Sequence, residues 1–245
     1  LLSDFINQYL APLPILNRMC LINFIIARPF EYQISQNNLF SVSVVIPARN
    51  EKGNIENAIK LMPKMGKHME IIFVEGHSSD GTLEEIKRVC KKYSNTHDLK
   101  FYIQDGIGKG DAVRKGFSKA KGDILMILDA DLTVPPSDLL KFYNAISSGK
   151  GEFINGSRLV YPMEEEAMRT LNILGNKFFS IMFTLILGQK LKDKLCVTKV
   201  LFKKHYKKII QNRNYFGNFD PFGDFDLIFG ATKLNLKIIE IPIRY

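Results

Sequence analysis

Two carboxylates one residue apart, Asp129 and Asp131, mark the place in this sequence where the residue types could do chemistry. They follow an apolar run at residues 124–128, which has the pattern of a strand buried on both faces. Two such carboxylates repel each other unless a divalent cation, with diphosphate oxygens as further ligands, takes up their charge. The pattern therefore predicts either a cation and diphosphate site or a pair of solvated acids that open the next helix.

The elements that must position these carboxylates alternate regularly between strand and helix patterns from residue 41 onward. Strands are predicted at residues 42–46, 71–74, 101–103, 124–128, 152–155 and 236–241. Between the first five, apolar residues recur at helical spacing, and one of the helices is predicted to begin with a capping box at Thr82 and Glu85. This alternation predicts an α/β fold, in which helices flank a mostly parallel sheet.

Polar segments follow the ends of five predicted strands, and parallel open sheets bind ligands at the carboxyl ends of their strands. We therefore expect five loops to meet at one edge of the sheet, at residues 47–51, 75–80, 105–109, 129–131 and 156–158. Convergence of acids, amides and bases from five loops favours a binding site over five unrelated loops.

The composition of the 245 residues is that of an ordinary globular protein, with 46% apolar and 24% charged residues. The net charge of +9 favours anionic partners, namely nucleotide diphosphates, nucleic acid or an acidic membrane surface. Nucleic acid is disfavoured because no nucleic-acid-binding motif is present. Three widely spaced cysteines match neither a disulfide framework nor a zinc site and suit a reducing cytoplasm.

Four motifs, taken in order, resemble the family 2 inverting glycosyltransferases of GT-A fold. They lie at residues 44–51 (VVIPARNE), 71–82, 108–112 (GKGDA) and 120–136, which contains the Asp-x-Asp (DXD) motif. Within that family the chain is most similar to the dolichol-phosphate mannose synthase type, over about residues 42–245. The resemblance implies transfer of a sugar from a GDP- or UDP-sugar to a polyprenyl (dolichyl or undecaprenyl) phosphate, with Mg²⁺ or Mn²⁺, at the cytoplasmic face of the membrane.

The resemblance also implies roles for single residues. The nucleotide is expected to contact Pro47, Arg49, Glu51, Glu75, Asp129 and Ala130. Asp80 is also assigned to the nucleotide site, as the acid that shapes the loop after the second strand. Metal coordination is implied for Asp129 and Asp131, with Thr133 at a position where mannose synthases commonly place an amide ligand. Arg158 matches a basic residue at the donor or acceptor phosphates, and Asp193 fits a motif near the acceptor.

Other roles follow from the residues themselves. Lys109 lies in a tight Gly-Lys-Gly loop, where it is expected near phosphate. A phosphate acceptor is already ionised and needs no strong general base, whereas a hydroxyl acceptor would need one, with Asp193, Asp224 or Asp226 as candidates. Arg158 and Lys199 would hold an acceptor phosphate.

Departures from the family pattern, among them the truncation expected at the C-terminus, leave alternatives open. Gly76 stands where a second acid is usual, and the hydroxyl of Thr133 is a weaker metal ligand than an amide. The alternatives are transfer to a saccharide hydroxyl in envelope polysaccharide synthesis, or a catalytically silent module that binds a nucleotide sugar.

The ends of the chain and its second half carry further expectations. Residues 1–38 are predicted to be a helical arm or the tail of a preceding domain, with a weak likeness to the end of a methyltransferase. Residues 39–245 are predicted to be the catalytic domain, truncated at its C-terminus. A long helix predicted at residues 164–189 and the lysines within residues 203–208 have two interpretations. They are either core and solvated surface, or contacts with a membrane surface.

Overall fold

A computed structural model of the chain describes residues 5–11, 13, 16–19, 40–157, 196, 198–211 and 224–243. The chain divides into two compact units, Leu1–Tyr32 and Gln33–Tyr245. In the first unit, a π-helical turn spans Ile6–Leu10 and a 3-10 turn spans Leu16–Met19. The division into domains predicted from the sequence, between residues 38 and 39, stays a prediction.

The second unit contains, within the described ranges, one sheet and helices on both of its faces. The strands are β1 (Val42–Ala48), β2 (Met69–Glu75), β3 (Asp98–Ile103), β4 (Ile124–Ile127), β5 (Phe153–Ser157), β6 (Lys199–Phe202) and β7 (Ile238–Pro242). The helices are α1 (Ile55–Lys60), α2 (Thr82–Lys92), α3 (Lys109–Lys119), α4 (Leu139–Ser147), α5 (Lys203–Gln211) and α6 (Asp224–Lys233). A 3-10 turn at Pro136–Asp138 leads into α4.

The strand order is β3-β2-β1-β4-β6-β5-β7. All neighbouring pairs are parallel except those that β6 makes with β4 and β5, which are antiparallel. The predicted α/β class with a mostly parallel sheet is thus confirmed, but β6 was not predicted. Because β6 runs in the reverse direction, β5 is parallel to β4 and ends at the same edge of the sheet as β1 to β4.

The central strands are apolar at consecutive positions because helices cover both of their faces. Along β1, Val44 and Ile46 face the core beneath α1, α2 and α4, while Val45 faces the core beneath α3, α5 and α6. Helix α3 lies very close to β1. A Cβ atom added to Gly116 of α3 would lie 2.3 Å from Cγ1 of Val45.

The capping box predicted at Thr82 and Glu85 is wrong. Helix α2 begins at Thr82 itself, and its N-cap residue is Gly81, which has a φ of 87° and no side chain that could cap the helix. The Thr82 hydroxyl donates to Asp80 at 2.5 Å, and Glu85 accepts from Arg88 at 2.7 Å. The hydroxyl therefore shapes the preceding loop.

The long helix predicted at residues 164–189 lies outside the described residues. Among the helices that are described, none combines the length and the apolar character needed to cross a bilayer.

Candidate active site

A cavity of about 250 Å³ opens at the edge of the sheet where β1, β2, β3 and β4 end. Its lining residues come from all four of these strand ends: Pro47, Ala48, Arg49, Glu51, Val74, Gly76, Gln104, Gly108, Lys109, Ala112, Asp129, Ala130 and Asp131. Seven of these residues were predicted from the sequence to bind nucleotide, phosphate or metal: Pro47, Arg49, Glu51, Lys109, Asp129, Ala130 and Asp131. Strand β5 ends at Ser157, and none of its residues lines the cavity; the loop that follows lies outside the described residues.

Hydrogen bonds join the loop after β1 to the loop after β2. The backbone N–H of Asn50 donates to the Ser78 hydroxyl at 3.0 Å, and Asn50 Oδ1 accepts from the Ser79 N–H at 3.0 Å. The N–H of Glu51 donates to the Thr82 hydroxyl at 2.9 Å. Asn50 has a φ of 56°, a left-handed conformation that asparagine tolerates better than most residues. These contacts fix the wall of the cavity that the first loop forms.

Two acids that were predicted in the nucleotide site, Glu75 as a contact and Asp80 as the acid that shapes the loop, do not line the cavity. Asp80 accepts hydrogen bonds from the N–H groups of Thr82 and Lys52, at 2.9 and 3.2 Å. Its bond from the Thr82 hydroxyl holds the pKa of Asp80 below the ordinary value. Glu75 is buried and accepts from the N–H of Ser78 at 2.6 Å. Both carboxylates thus shape the loop, and their roles in the nucleotide site stay predictions.

The carboxylates of Asp129 and Asp131 lie in the loop directly after β4 and both line the cavity. Asp129 forms an ion pair with Lys109, the first residue of α3. Oδ1 of Asp131 accepts from both the N–H and the hydroxyl of Thr133, each at 3.0 Å. Thr133 is therefore a partner of Asp131 and does not line the cavity itself.

The carboxylates of Asp129 and Asp131 fit Mg²⁺ or Mn²⁺, provided that a diphosphate supplies further ligands. Two carboxylates at a cavity edge are the hard oxygen ligands that Mg²⁺ takes from proteins, and the ion usually completes its shell with phosphate oxygens and water. No group of three metal-binding side chains of the His, Cys, Asp and Glu types occurs in the described part of the chain. Asp129 and Asp131 would thus hold the ion together with a diphosphate.

The start of α3 contributes a positive charge to the cavity, next to Asp129. Helix α3 begins here after Gly108, whose φ of 89° suits glycine, and the preceding turn is held by the N–H of Gly106 donating to Asp111 at 2.8 Å. The free N–H groups and the dipole of a helix N-terminus favour an anion, and Lys109 adds a full positive charge. This geometry suits phosphate oxygens facing the carboxylate pair.

Gln104 is a cavity residue that sequence analysis missed. It is 6% exposed, and its side-chain NH₂ group donates to the carbonyl oxygen of Gly106 at 2.8 Å. A Cβ atom on Gly76 would lie 3.4 Å from Gln104 Oε1, so the glycine found where an acid was expected leaves this amide in the cavity. Its position could have indicated it, since Gln104 is the first residue after β3, where cavity residues are expected.

Of the residues predicted on the acceptor side, the two whose side chains the structure describes, Lys199 and Asp226, do not line this cavity. Arg158 and Asp193 lie outside the described residues, and α6 begins at Asp224, whose side chain is not described. Asp226 is buried in α6. Lys199 is fully buried at the start of β6, and its amine donates to the Cys196 carbonyl oxygen at 2.6 Å. Their catalytic and acceptor-binding roles stay predictions.

The sheet is mostly parallel, and one cavity at its carboxyl edge holds two carboxylates and the basic N-terminus of a helix. This arrangement defines the GT-A class of folds. A solved structure with the same fold is glucosyl-3-phosphoglycerate synthase from Mycobacterium tuberculosis, in complex with Mn²⁺, UDP and glucosyl-3-phosphoglycerate. It matches with a TM-score of 0.60 and 15% identity, over 84% of this chain and 71% of that one. The chain belongs to glycosyl transferase family 2, whose family model matches residues 43–210.

Two curated relatives come from Saccharomyces cerevisiae. Dolichol-phosphate mannosyltransferase is 35% identical over 109 residues, which are 42% of this chain and 40% of the relative. Dolichyl-phosphate beta-glucosyltransferase is 30% identical over 227 residues, which are 83% of this chain and 66% of the relative. The matched region thus spans less than half of the first relative and about two thirds of the second. The resemblance to family 2 found in the sequence is confirmed.

Proposed function

We propose that this protein is a metal-dependent inverting glycosyltransferase that moves a sugar from a nucleotide diphosphate sugar to a polyprenyl phosphate. One observation carries the proposal: Asp129 and Asp131 line the same cavity as the basic N-terminus of α3, where Lys109 forms an ion pair with Asp129. The two S. cerevisiae relatives, both named for dolichol or dolichyl phosphate, support the class of acceptor.

The chemical difficulty in this reaction is the departure of a nucleotide diphosphate. Mg²⁺ or Mn²⁺ held by Asp129 and Asp131 would offset the negative charge that develops on the leaving group. Lys109 and the first N–H groups of α3 would bind the same diphosphate oxygens. Pro47, Arg49 and the amide of Gln104 would position the nucleoside, since they line the remaining wall.

The acceptor needs less from the protein. A polyprenyl phosphate is ionised at neutral pH, so its oxygen can attack the sugar without a strong general base. In this proposal Arg158 and Asp193 bind or orient the acceptor. Lys199 supports the sheet edge beside it, since its amine is buried against a backbone carbonyl.

The site of action that we propose is the cytoplasmic face of a membrane, where a lipid-linked acceptor is held. Helix α5 supports this because its buried side carries Tyr206 and Ile209, whereas Lys204, Lys207 and Lys208 are exposed. Such a basic helix face attracts anionic headgroups. Neither Cys90 nor Cys196 forms a disulfide within the described part of the chain. The upstream methyltransferase-like domain stays a prediction.

The test is turnover of a panel of UDP- and GDP-sugars with Mn²⁺, with and without a short-chain polyprenyl phosphate. We expect turnover that requires both the metal and the lipid phosphate. Asp131→Asn should lower the rate about a hundredfold or more, because it removes a charge that binds the metal. Asp105→Asn is the matched control, because Asp105 is an exposed acid paired with Lys115 and does not line the cavity.

Each alternative corresponds to a different result of this experiment. Transfer to saccharide hydroxyls but not to lipid phosphate would replace the acceptor class and turn attention to Asp224 and Asp226 as bases. Nucleotide binding without turnover on any acceptor would favour the silent binding module. Undiminished activity of Asp131→Asn would remove the metal from the mechanism.

A further inference from the structure

The ion pair between Lys109 and Asp129 joins two groups that the proposed reaction needs separately. Asp129 is one of two carboxylates available for a metal, and Lys109 is the cavity's ammonium group at the start of α3. Their side chains are 18% and 25% exposed, so the pair lies within the cavity wall and is only partly screened by water. In the protein alone, the ammonium group therefore already neutralises one of the two metal ligands.

Such a pair makes the site a poor one for a cation by itself. A divalent cation that approached Asp129 would compete with the ammonium group of Lys109 for this carboxylate, and the positive charge of the ammonium group would repel the cation. Asp131 offers little compensation, since one of its oxygens already accepts two hydrogen bonds from Thr133. No third metal-binding carboxylate, imidazole or thiol joins them in the part of the chain that the structure describes.

An anionic diphosphate reverses this balance. Lys109 is a flexible point charge at a helix N-terminus, so a diphosphate bound there attracts the ammonium group away from Asp129. The released carboxylate can then join Asp131 and the diphosphate oxygens in holding the cation.

We infer that Lys109 is an internal counter-ion that occupies Asp129 until a nucleotide diphosphate arrives, which makes cation binding dependent on the nucleotide. This inference rests on the proposed function and adds an order of binding to it. The dependence is reciprocal, because a nucleotide that raises the cation affinity has its own affinity raised by the same factor. Lys109 thereby keeps a free cation from filling the site before the donor.

The test measures binding rather than turnover. Free Mn²⁺ is followed by electron paramagnetic resonance while the cation is titrated into the protein, with and without saturating UDP or GDP. In the unmodified protein we expect the nucleotide to tighten Mn²⁺ binding about tenfold or more, within the range usual for coupled sites. In Lys109→Met, Mn²⁺ should bind about tenfold more tightly without nucleotide, and the coupling should fall by the same factor.

The matched control is Lys115→Met. Lys115 lies on the same helix and pairs with Asp105 outside the cavity, so its loss should leave both Mn²⁺ affinities unchanged. Should Lys109→Met fail to fold by circular dichroism, Lys109→Gln removes the same charge with a polar side chain.

Two results separate the failure of this inference from the failure of the proposed function. If nucleotide binds but removal of the Lys109 charge leaves the Mn²⁺ affinity without nucleotide unchanged, Lys109 is not a counter-ion, and the glycosyltransferase proposal is unaffected. If the unmodified protein binds neither UDP nor GDP at any Mn²⁺ concentration, the proposed function itself is wrong.

Discussion

A substitution of Glu70 should change the stability of the fold but not the binding site, because Glu70 lies in β2 at the edge of the sheet opposite the cavity. Its carboxylate is buried and accepts from the Ser43 hydroxyl, the Lys100 amine and the Lys121 N–H, each at 2.5 Å. These bonds tie β1, β2, β3 and the turn before β4 together. We expect Glu70→Gln to destabilise the fold without changing the cavity.

The size of the effect follows from what glutamine can still do. Its oxygen can keep the bonds from Ser43 and Lys121, but its NH₂ group cannot accept from Lys100, so one charge-assisted bond is lost. Such a bond contributes about 1.5–3 kcal/mol, and Lys100, which is 26% exposed, recovers part of it from water. We therefore expect a loss of about 2 kcal/mol. For a chain of this length that lowers the melting temperature by about 4–8 °C.

The same pair predicts a pH dependence with a definite sign. Burial alone would raise the pKa of Glu70, but the bonds from Lys100, Ser43 and Lys121 outweigh it and leave the pKa below the ordinary value. A lowered pKa means that the carboxylate contributes its stability above the pKa of the unfolded chain, and that the contribution disappears as the pH falls through the folded-state pKa. The difference between Glu70→Gln and the unmodified protein should therefore be complete at neutral pH and shrink in acid.

The assay is urea denaturation of both proteins at pH 7 and in steps toward about pH 3, with nucleotide affinity measured at 25 °C as the check on the site. Glu84→Gln is the control, because Glu84 is an exposed acid on α2. A difference that stays constant down to acid pH would refute the role of the Glu70 charge. If the folded variant binds nucleotide more weakly, the expectation that Glu70 affects stability without affecting the binding site is refuted.

Three further changes test the packing and the loops. Gly116→Ala should cost about 1–3 kcal/mol in urea denaturation, because its Cβ would overlap Val45, whereas Gly53→Ala, in open space, should cost little. Unchanged stability of Gly116→Ala would mean that α3 can move away from β1. Asp80→Asn should weaken nucleotide binding in calorimetry more than it lowers the melting temperature, because it loosens the loop behind the cavity wall; the opposite ranking would make Asp80 a fold residue. Gln104→Leu should weaken nucleotide binding about tenfold by removing a polar group from the cavity, and equal affinity would exclude contact with the nucleoside.

The strands that sequence analysis located are those with runs of buried apolar residues. β1, β2 and β4 are covered on both faces, so their burial shows directly in the order of residue types. The antiparallel strand β6 gave no such signal, because it has only four residues, begins with Lys199 and is followed at once by Lys203 and Lys204. Pairing between distant strands also has no local pattern, which is why the insertion of β6 between β4 and β5 could not be read from the sequence.

Some residues of the candidate site could likewise be predicted from the sequence, whereas the contacts between its loops could not. The residue types and their positions after strand ends indicated Asp129, Asp131, Arg49 and Lys109, and all four line the cavity. The contacts between loops could not be predicted, because they depend on side chains brought together from different strands. The ion pair of Lys109 with Asp129 is one example, and the Thr82 hydroxyl, which serves the loop instead of the helix, is another.

The reversed strand also bears on where an acceptor would bind. β5 ends at Ser157 on the edge that carries the cavity, and β6, being antiparallel, begins at Lys199 on that same edge. The link is direct, since the N–H of Gly156 donates to the Thr198 carbonyl oxygen at 2.9 Å. The chain therefore leaves the sheet and returns to it at the edge that carries the cavity. Arg158 and Asp193 both belong to the stretch between these two points, so the sheet topology supports the proposal that acceptor contacts come from residues 158–195.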